Sequence, residues 1–333
     1  MSANMKASSE PQLLTYRRLL PRPDLAEYVR NYEYTELQAG DGPPYPFAVS
    51  VFPAVCFFLR GRPKAFEYAT GRTRVLPPAV ALGPCDHRVA DVHNAGRLVS
   101  FTIAFRPTGF FRLFHVSPWE IRNYAHDLRD VLGERICALH ALLSDATRLE
   151  RMAAVIDEAL LEDSTRALPR SGVEWAAEAL LHSKGRADLL ATAGSLGLSD
   201  SSWRRHFTCE IGVTPKRYLR MVRFRHALAL KRGYGRRPWT EVCLEAGYYD
   251  QAHFIAECQA TVGCTPSKFL RELALVPEPW VTAVYGPAAG GKSGAFGRTR
   301  VWSTVLRNRA GGARWHAHLP RLKAADSASN RTE

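Results

Sequence analysis

The feature that most constrains this chain is a pattern that occurs twice in its second half, 51 residues apart. The stretch EIGVTPKRYLR spans residues 210–220, and TVGCTPSKFLR spans residues 261–271. In each copy the threonine, Thr214 or Thr265, can cap a helix, and the proline after it suits the first helical turn. The glycine before each threonine allows a sharp turn. Each copy therefore marks the end of one helix and the start of the next, and the repeat predicts a helical unit used twice.

The residues before each copy predict a short helix, a glycine turn and a second helix. The turns fall at Gly197 and Gly247, and Ser199 and Asp250 can cap the second helices. The sequence thus predicts two helix-turn-helix units. Residues 215–233 are long enough for one helix that joins the units. Such a helix would let both second helices enter successive major grooves, roughly 34 Å apart on one side of a DNA duplex.

Charge is concentrated in the same half of the chain. The net charge of +13 divides unevenly, because residues 1–169 carry 20 basic and 19 acidic side chains. Residues 170–275 carry 16 against 10, and residues 276–333 carry 9 against 3. A basic half favours a polyanionic partner such as nucleic acid or an anionic membrane surface.

The second helix of each unit divides into a core face and an open face. Trp203 with Phe207, and Phe254 with Cys258, are spaced by four residues and are expected in the core. The opposite faces carry the side chains that we predict to contact DNA bases: Ser201, Arg204 and Arg205 in the first unit, and Gln251, Ala252 and Ile255 in the second. Arginine can donate two hydrogen bonds to guanine, glutamine can pair with adenine, and apolar side chains can meet thymine methyl groups. A solvated basic face is the alternative for the arginines.

Three further basic residues are predicted to hold DNA phosphates. Lys216, Arg217 and Lys268 lie just inside helix starts, beside free backbone amides. Such contacts position a protein on DNA without reading its sequence. Because the second unit offers no arginine and Glu257 follows closely, we expect it to read fewer bases than the first.

The first half of the chain has a different residue pattern, one that is typical of β-strands. Short segments rich in Val, Phe and Ile from about Tyr45 to Phe105, separated by Pro and Gly, predict strands of a small barrel or sandwich. Helical periodicity follows, to about Leu161. The predicted fold class is α+β, and the predicted domains are a strand-rich domain with C-terminal helices at 1–165, a linker at 166–172, an all-α domain at 173–275 and a basic, flexible tail at 276–333.

A small barrel can enclose either a ligand cavity or a packed core. The aromatic residues that could line such a cavity are Phe47, Phe52, Phe57, Phe58, Phe66, Tyr68, Phe101 and Phe105. Arg106 is the candidate for holding an acidic effector, with a structural ion pair as the alternative. The helices from Arg129 to Leu161 have an apolar face for the barrel or for a second chain, so we expect a weak homodimer held by this half.

Several other classes of protein are disfavoured. The chain has seven cysteines and no Cys-x-x-Cys pair, which disfavours both a disulfide framework and a zinc ribbon. No apolar run suits a signal peptide or a membrane span. We therefore expect a cytoplasmic protein without a cofactor or metal. GPAAGGKS at 286–293 has phosphate-loop spacing but lacks the following helix and large sheet that such a loop needs. His316 with His318, and His87 with His93, lack a convincing third ligand.

Residues 172–271 resemble the DNA-binding domain of the AraC/XylS family of bacterial transcription regulators. The resemblance rests on GLS at 197–199, GVTPKRYL at 212–219, GYYDQAHF at 247–254 and GCTPSKF at 263–269. It implies a DNA-binding protein that binds double-stranded promoter DNA through both units and usually activates transcription by contacting RNA polymerase. The first 160 residues resemble the sensory domains that precede this module, which implies a cupin-like domain that binds a small-molecule effector or dimerises.

The sequence therefore predicts a sequence-specific transcription regulator that is not an enzyme. Two alternatives remain open at this point. One is a cupin-type metalloenzyme fused to a DNA-binding module. The other is an alkylation-responsive regulator with a cysteine acceptor, although the cysteines are not clustered as a zinc-held thiol would require.

Overall fold

The computed structural model describes residues 12–40, 42–47 and 49–285. The strands in these residues are β1 (Gln12–Leu19), β2 (Val29–Ala39), β3 (Tyr45–Pro46), β4 (Ala54–Arg60), β5 (Lys64–Glu67), β6 (Arg72–Val75), β7 (Ala79–Leu82), β8 (Ala90–His93), β9 (Gly96–Phe105) and β10 (Ala125–Asp127). The helices are α1 (Gly109–Phe114), α2 (Leu128–Leu132), α3 (Arg135–Asp145), α4 (Leu149–Ser164), α5 (Gly172–His182), α6 (Leu189–Ser195), α7 (Asp200–Ile211), α8 (Pro215–Gly233), α9 (Trp239–Glu245), α10 (Gln251–Val262), α11 (Pro266–Leu273) and α12 (Glu278–Tyr285). The predicted α+β class is confirmed.

The strands form two antiparallel sheets. One has the order β1-β2-β9-β4-β7-β10, and the other has the order β3-β8-β5-β6. Because successive side chains of a strand point to opposite faces, each central strand serves two cores. In β4, Cys56 and Phe58 face the space between the sheets, whereas Val55 and Phe57 face a second core that α1, α3 and α4 cover.

The strand region begins earlier than the sequence pattern indicated. Strands β1 and β2 precede the predicted start at Tyr45, and β2 is a central strand that pairs with both β1 and β9. The pattern concealed β2 because the sequence VRNYEYTELQA contains charged and amide residues at buried positions, where Asn31 and Glu33 satisfy each other by a hydrogen bond of 2.9 Å. The predicted helices between Arg129 and Leu161 are present as α2, α3 and α4.

The second half has the predicted pair of helix-turn-helix units. The first consists of α6 and α7 and the second of α9 and α10, with α8 between them over the predicted residues 215–233. Ser199, Asp250 and Thr214 cap α7, α10 and α8 as predicted, but Thr265 precedes α11 without a capping hydrogen bond from its side chain. Both turns before these exits have positive φ, +90° at Gly212 and +73° at Gly263.

The residues after 275 correct the predicted tail in part. Helix α12 continues the fold to Tyr285, because the residues Trp280, Val281, Val284 and Tyr285 give it an apolar face that packs on α8 and on the strand-rich half. The Tyr285 hydroxyl accepts a hydrogen bond of 3.0 Å from the amide of Val49. The remainder of the predicted tail, including the phosphate-loop-like stretch at 286–293 and His316 with His318, lies outside the described residues.

The two halves share a hydrophobic core. Val49, Val51 and Phe52 of the strand-rich half are buried in the same cluster as Trp203, Phe224 and the other core residues of the helical half. The segment 166–172, predicted as a linker, is also tied to the first half, since the carbonyl of Leu168 accepts a hydrogen bond of 2.9 Å from Arg112. The helix-turn-helix units are therefore packed against the strand-rich half.

Candidate nucleic-acid interface

The open face of α7 carries the three residues predicted to contact bases in the first unit. Trp203 and Phe207 are buried on the opposite face, their rings 4.8 Å apart. Ser201, Arg204 and Arg205 are all exposed, which is the arrangement a helix needs to enter a major groove. Arg204 forms an ion pair of 2.5 Å with Asp200 one turn earlier. Both groups are more than half exposed, so this pair is easily exchanged for another partner.

The second unit has the same frame, displaced by 51 residues. Its capping residue Asp250 corresponds to Ser199, and its glycine exit at 263 corresponds to 212. In this register Ser201, Arg204 and Arg205 correspond to Ala252, Ile255 and Ala256. Ala252 and Ala256 are exposed and Ile255 is half-buried. The predicted Gln251 is half-buried and corresponds to Asp200, at the first position of the helix.

Glu257 does not place a negative charge on the open face of α10. Its side chain is buried and accepts hydrogen bonds from the Tyr248 hydroxyl at 3.0 Å and from Arg220 at 3.1 Å. Arg220 belongs to α8, so this carboxylate ties the second unit to the joining helix. The sequence alone could not separate this buried role from an exposed one, because the charged residue lies next to a core position, Cys258.

The three predicted phosphate ligands have different environments. Lys216 is exposed at the start of α8, beside its first backbone amides. Lys268 is also exposed, with a long ion pair of 3.9 Å to Glu272. Arg217 is half-buried, and its guanidinium contacts the Asp86 carboxylate of the strand-rich half at 3.0 Å. A phosphate contact from Arg217 would have to replace this ion pair.

A loop of the strand-rich half contacts both units. Asp86 holds Arg217 of the first unit's exit, and the Asp86 carboxyl has a lowered pKa because His87 and Arg217 outweigh the cost of burial. The Arg88 amide donates a hydrogen bond of 2.7 Å to the Thr261 carbonyl of α10, and the Arg88 guanidinium pairs with Glu272 at 2.6 Å. The loop 85–88 thus links the two helix-turn-helix units to each other through the strand-rich half.

Some exposed residues near the open faces were not predicted. Tyr249 lies in the turn before α10 and is 86% exposed, whereas the adjacent Tyr248 is buried against Phe254. His253 is exposed on α10. The 51-residue register could have indicated Ala256, since it corresponds to Arg205. Nothing in the sequence separates the two tyrosines, because they are adjacent in a turn.

Only some of the residues predicted to bind an effector line a cavity. Phe47, Phe52 and Phe58 line a cavity between the sheets. Phe57, Phe101 and Phe105 instead point into the core under α1 and α4, because they have the opposite strand parity, and Phe66 and Tyr68 are exposed. Arg106 does not line the cavity. Its guanidinium donates a hydrogen bond of 2.6 Å to the Ala26 carbonyl and lies 3.7 Å from Glu178 of α5, which is a structural ion pair.

Other chemistries have little support in the described residues. His87 pairs with Asp86 at 2.6 Å, and no group of three or more His, Cys, Asp or Glu side chains in the described part of the chain could hold a metal. All seven cysteines are free. Burial raises the pKa of the Cys209 thiol, which disfavours the reactive thiolate. No helix within the described ranges is long and apolar enough to cross a membrane.

Comparison with known families identifies the segment of the helical half that contains the two units. Residues 192–272 match the family described as Helix-turn-helix domain, and this span contains both units and the joining helix α8. This segment is an AraC-type helix-turn-helix domain. The resemblance predicted from the sequence is therefore confirmed for these residues, and with it a role in binding DNA as a regulator. No curated protein is significantly similar to the chain.

The chain is also similar, at low sequence identity, to several solved structures. A structure of ToxT from Vibrio cholerae has 10% identity and a TM-score of 0.41, and the match covers 79% of this chain and 98% of ToxT. Unsaturated fatty acid bound wild-type ToxT from the same organism has 12% identity and a TM-score of 0.39, with 74% and 96% covered. The AraC-like transcriptional activator CuxR has 15% identity and a TM-score of 0.20, with 62% and 83% covered.

Proposed function

We propose that this protein is a cytoplasmic, sequence-specific transcription regulator that binds double-stranded promoter DNA through both helix-turn-helix units. The observation that carries the proposal is the exposed face of α7, where Ser201, Arg204 and Arg205 project from a helix fixed on its other side by buried Trp203 and Phe207. An arginine on such a helix can make the two-pronged contact with guanine that only the major groove offers.

The second unit contributes fewer base contacts in this proposal. Its open face carries Gln251, Ala252 and Ile255, and apolar residues replace both arginines of α7. Lys216 and Lys268 hold phosphates at the two exits, and Arg217 joins them when it is released from Asp86. The domains that we assign are 1–165 for effector binding and dimerisation, 166–172 as a connection and 173–275 for DNA binding.

The remaining parts of the proposal concern partners. The protein acts as an activator that contacts RNA polymerase, responds to a small-molecule effector and has no catalytic role. A weak homodimer forms through the first half, where α3 leaves Leu142 51% exposed. Sedimentation of the full chain with Leu142→Arg as the comparison tests the dimer, which is rejected if the native chain is monomeric at tens of micromolar.

Selection of bound sequences from random DNA by the full chain tests the central proposal. We expect one preferred site and an affinity that falls with salt, because each neutralised phosphate adds about 0.9 to the slope of log affinity against log salt concentration. Binding that shows no sequence preference, or no salt dependence, would contradict it.

A further inference from the structure

The space between the two sheets contains a largely apolar cavity of about 230 Å³. Its walls come from both halves of the chain. Phe47, Phe58 and Val80 belong to the strand-rich half, while Trp280 and Val281 belong to α12, which follows the DNA-binding domain. A cavity with mostly apolar walls and few polar groups is the usual form of a small-molecule site.

One cation lies in this apolar wall. The Arg30 guanidinium is 4.1 Å from the centre of the Phe52 ring, and its Nη1 is buried without a hydrogen-bond partner among the described residues. Burial lowers the pKa of Arg30 to about 10, so the group is still charged near neutrality. A buried charged nitrogen without a partner costs free energy, and an anion placed beside it would recover that cost.

The cavity wall also carries one carboxylate, whose negative charge favours the charged form of Arg30. Glu33 lines the same cavity, but its Oε1 accepts hydrogen bonds from Asn31 at 2.9 Å and from Arg18 at 3.2 Å. The Arg225 guanidinium of α8 lies 5.4 Å from the same Phe52 ring and adds positive charge, while donating a hydrogen bond to the Val284 carbonyl. The two guanidinium groups near Phe52 therefore favour an anionic ligand.

We propose that this cavity binds a small organic carboxylate with an apolar tail, its carboxylate on Arg30 and its tail against Phe58, Val80 and Trp280. This inference deepens the proposed function by naming the chemical class of the effector. A single guanidinium suits one carboxylate, and a neutral ligand would leave Nη1 unpaired. A highly charged phosphate ester would find too few donors in an apolar wall.

The same site gives the ligand a route to the DNA-binding domain. Trp280 in the cavity wall donates a hydrogen bond of 3.1 Å to Thr35 of β2, so α12 is fixed to the sheet on one side of the cavity. Phe52 contacts Arg30 of the first half and Arg225 of the helix that joins the two units. A ligand bound to Arg30 would thus change the environment of Phe52, which contacts both halves of the chain.

Titration of the full chain with octanoate, decanoate and phenylpropionate, each compared with its matched alcohol, tests the inference. Tryptophan fluorescence and thermal unfolding report binding, and loss of the fluorescence change in Trp280→Phe would assign it to the cavity. We expect at least one carboxylate to bind about tenfold more tightly than its alcohol, as a charged hydrogen bond requires. Equal affinities, or no binding of any of the three acids, would overturn the proposal.

Two variants and a control sharpen the test. Arg30→Met should weaken the preferred carboxylate about tenfold and leave the alcohol unchanged. Ala104→Phe should abolish binding of both by filling the cavity while leaving Arg30 in place. Arg122→Met is the matched control, because Arg122 also stacks on a ring, that of Trp119, but lies outside the cavity.

Carboxylate binding that survives Ala104→Phe would place the site elsewhere and would overturn the assignment. DNA binding by the unliganded chain is measured separately. A failed ligand titration with intact DNA binding rejects only the effector class, whereas absent DNA binding rejects the proposed function without affecting the ligand result.

Discussion

The two helix-turn-helix units have one frame and differ in what is attached to it. Their caps, Ser199 and Asp250, and their glycine exits, Gly212 and Gly263, correspond at an offset of 51, whereas the turn glycines, Gly197 and Gly247, lie 50 residues apart. The first unit exposes Arg204 and Arg205 on α7, whereas the corresponding residues of α10 are a half-buried isoleucine, Ile255, and an exposed alanine, Ala256. At the glycine exit the first unit also packs against Pro118 of the strand-rich half, whereas the space beside the second exit is open. The two units thus share their helix caps and glycine exits but differ in the surface proposed to read DNA and in their packing on the strand-rich half. Four predictions test this difference, ordered from the largest expected effect.

The glycine exits provide the first matched pair. Both have positive φ, where a side chain is strained, but their surroundings differ. A Cβ at Gly212 would lie 2.7 Å from the Pro118 carbonyl carbon, whereas a Cβ at Gly263 would meet open space. We expect Gly212→Ala to destabilise the chain by about 2–4 kcal/mol and Gly263→Ala by about 1–2 kcal/mol. Urea unfolding of the two variants measures the difference, and equal shifts would show that the first exit is not held more tightly.

The second prediction concerns Glu210, which occupies the position in the first unit that corresponds to Thr261 in the second. Glu210 is buried and accepts a hydrogen bond from Ser171, the cap of α5. Burial, with the nearby Glu174, raises the pKa of Glu210 to about 7 from its ordinary value of 4.5. Because the folded state holds the proton more tightly, its stabilising contribution is complete below about pH 4.5 and is lost as the pH rises through about 7.

We therefore expect the free energy of unfolding of the native chain to fall by at most roughly 3 kcal/mol between these pH limits. Glu210→Gln should not show this fall, because glutamine has no proton to lose. The measurement is the free energy of unfolding from pH 4.5 to 8 for both chains. Thr261→Ser, at the corresponding position of the second unit, is the control and should leave the pH dependence unchanged. A parallel profile for Glu210→Gln and the native chain would refute the assignment.

The third prediction concerns the reading faces. Arg204→Ala or Arg205→Ala should cost about 1–3 kcal/mol on the selected DNA site and relax the preference at one base. Ile255→Ala, at the position corresponding to Arg204, should cost less than about 1 kcal/mol, because it removes at most one apolar contact with a thymine methyl. Binding curves on the selected site and on single-base variants test this, and a uniform loss on every sequence would reassign the arginines to phosphates.

Local signals explain why the helical half could be predicted and the first half only in part. Caps, glycine turns and proline starts act within a few residues, so Ser199, Gly212 and Thr214 fixed helix boundaries without any knowledge of the partner half. The cavity depends on strand parity and on pairing between distant residues, such as β2 with β9. For this reason Phe58 and Phe101 could not be assigned to opposite faces, and Arg30 was not recognised, since one wall of the cavity that it lines comes from α12.

The smallest effect expected distinguishes Lys268 and Arg217, the basic residues proposed to contact phosphates at the two exits. Lys268 corresponds to Arg217, but Lys268 is exposed, whereas Arg217 is held by Asp86 at 3.0 Å. Lys268→Ala should lower the slope of log affinity against log salt concentration by about 0.9, the value for one phosphate contact. Arg217→Ala should lower it by less, because this arginine is paired in the unbound protein. Asp86→Asn removes that competition, so in this background Arg217→Ala should have the same effect as Lys268→Ala. If Arg217→Ala leaves the slope unchanged in both backgrounds, Arg217 only joins the two halves and the phosphate assignment fails.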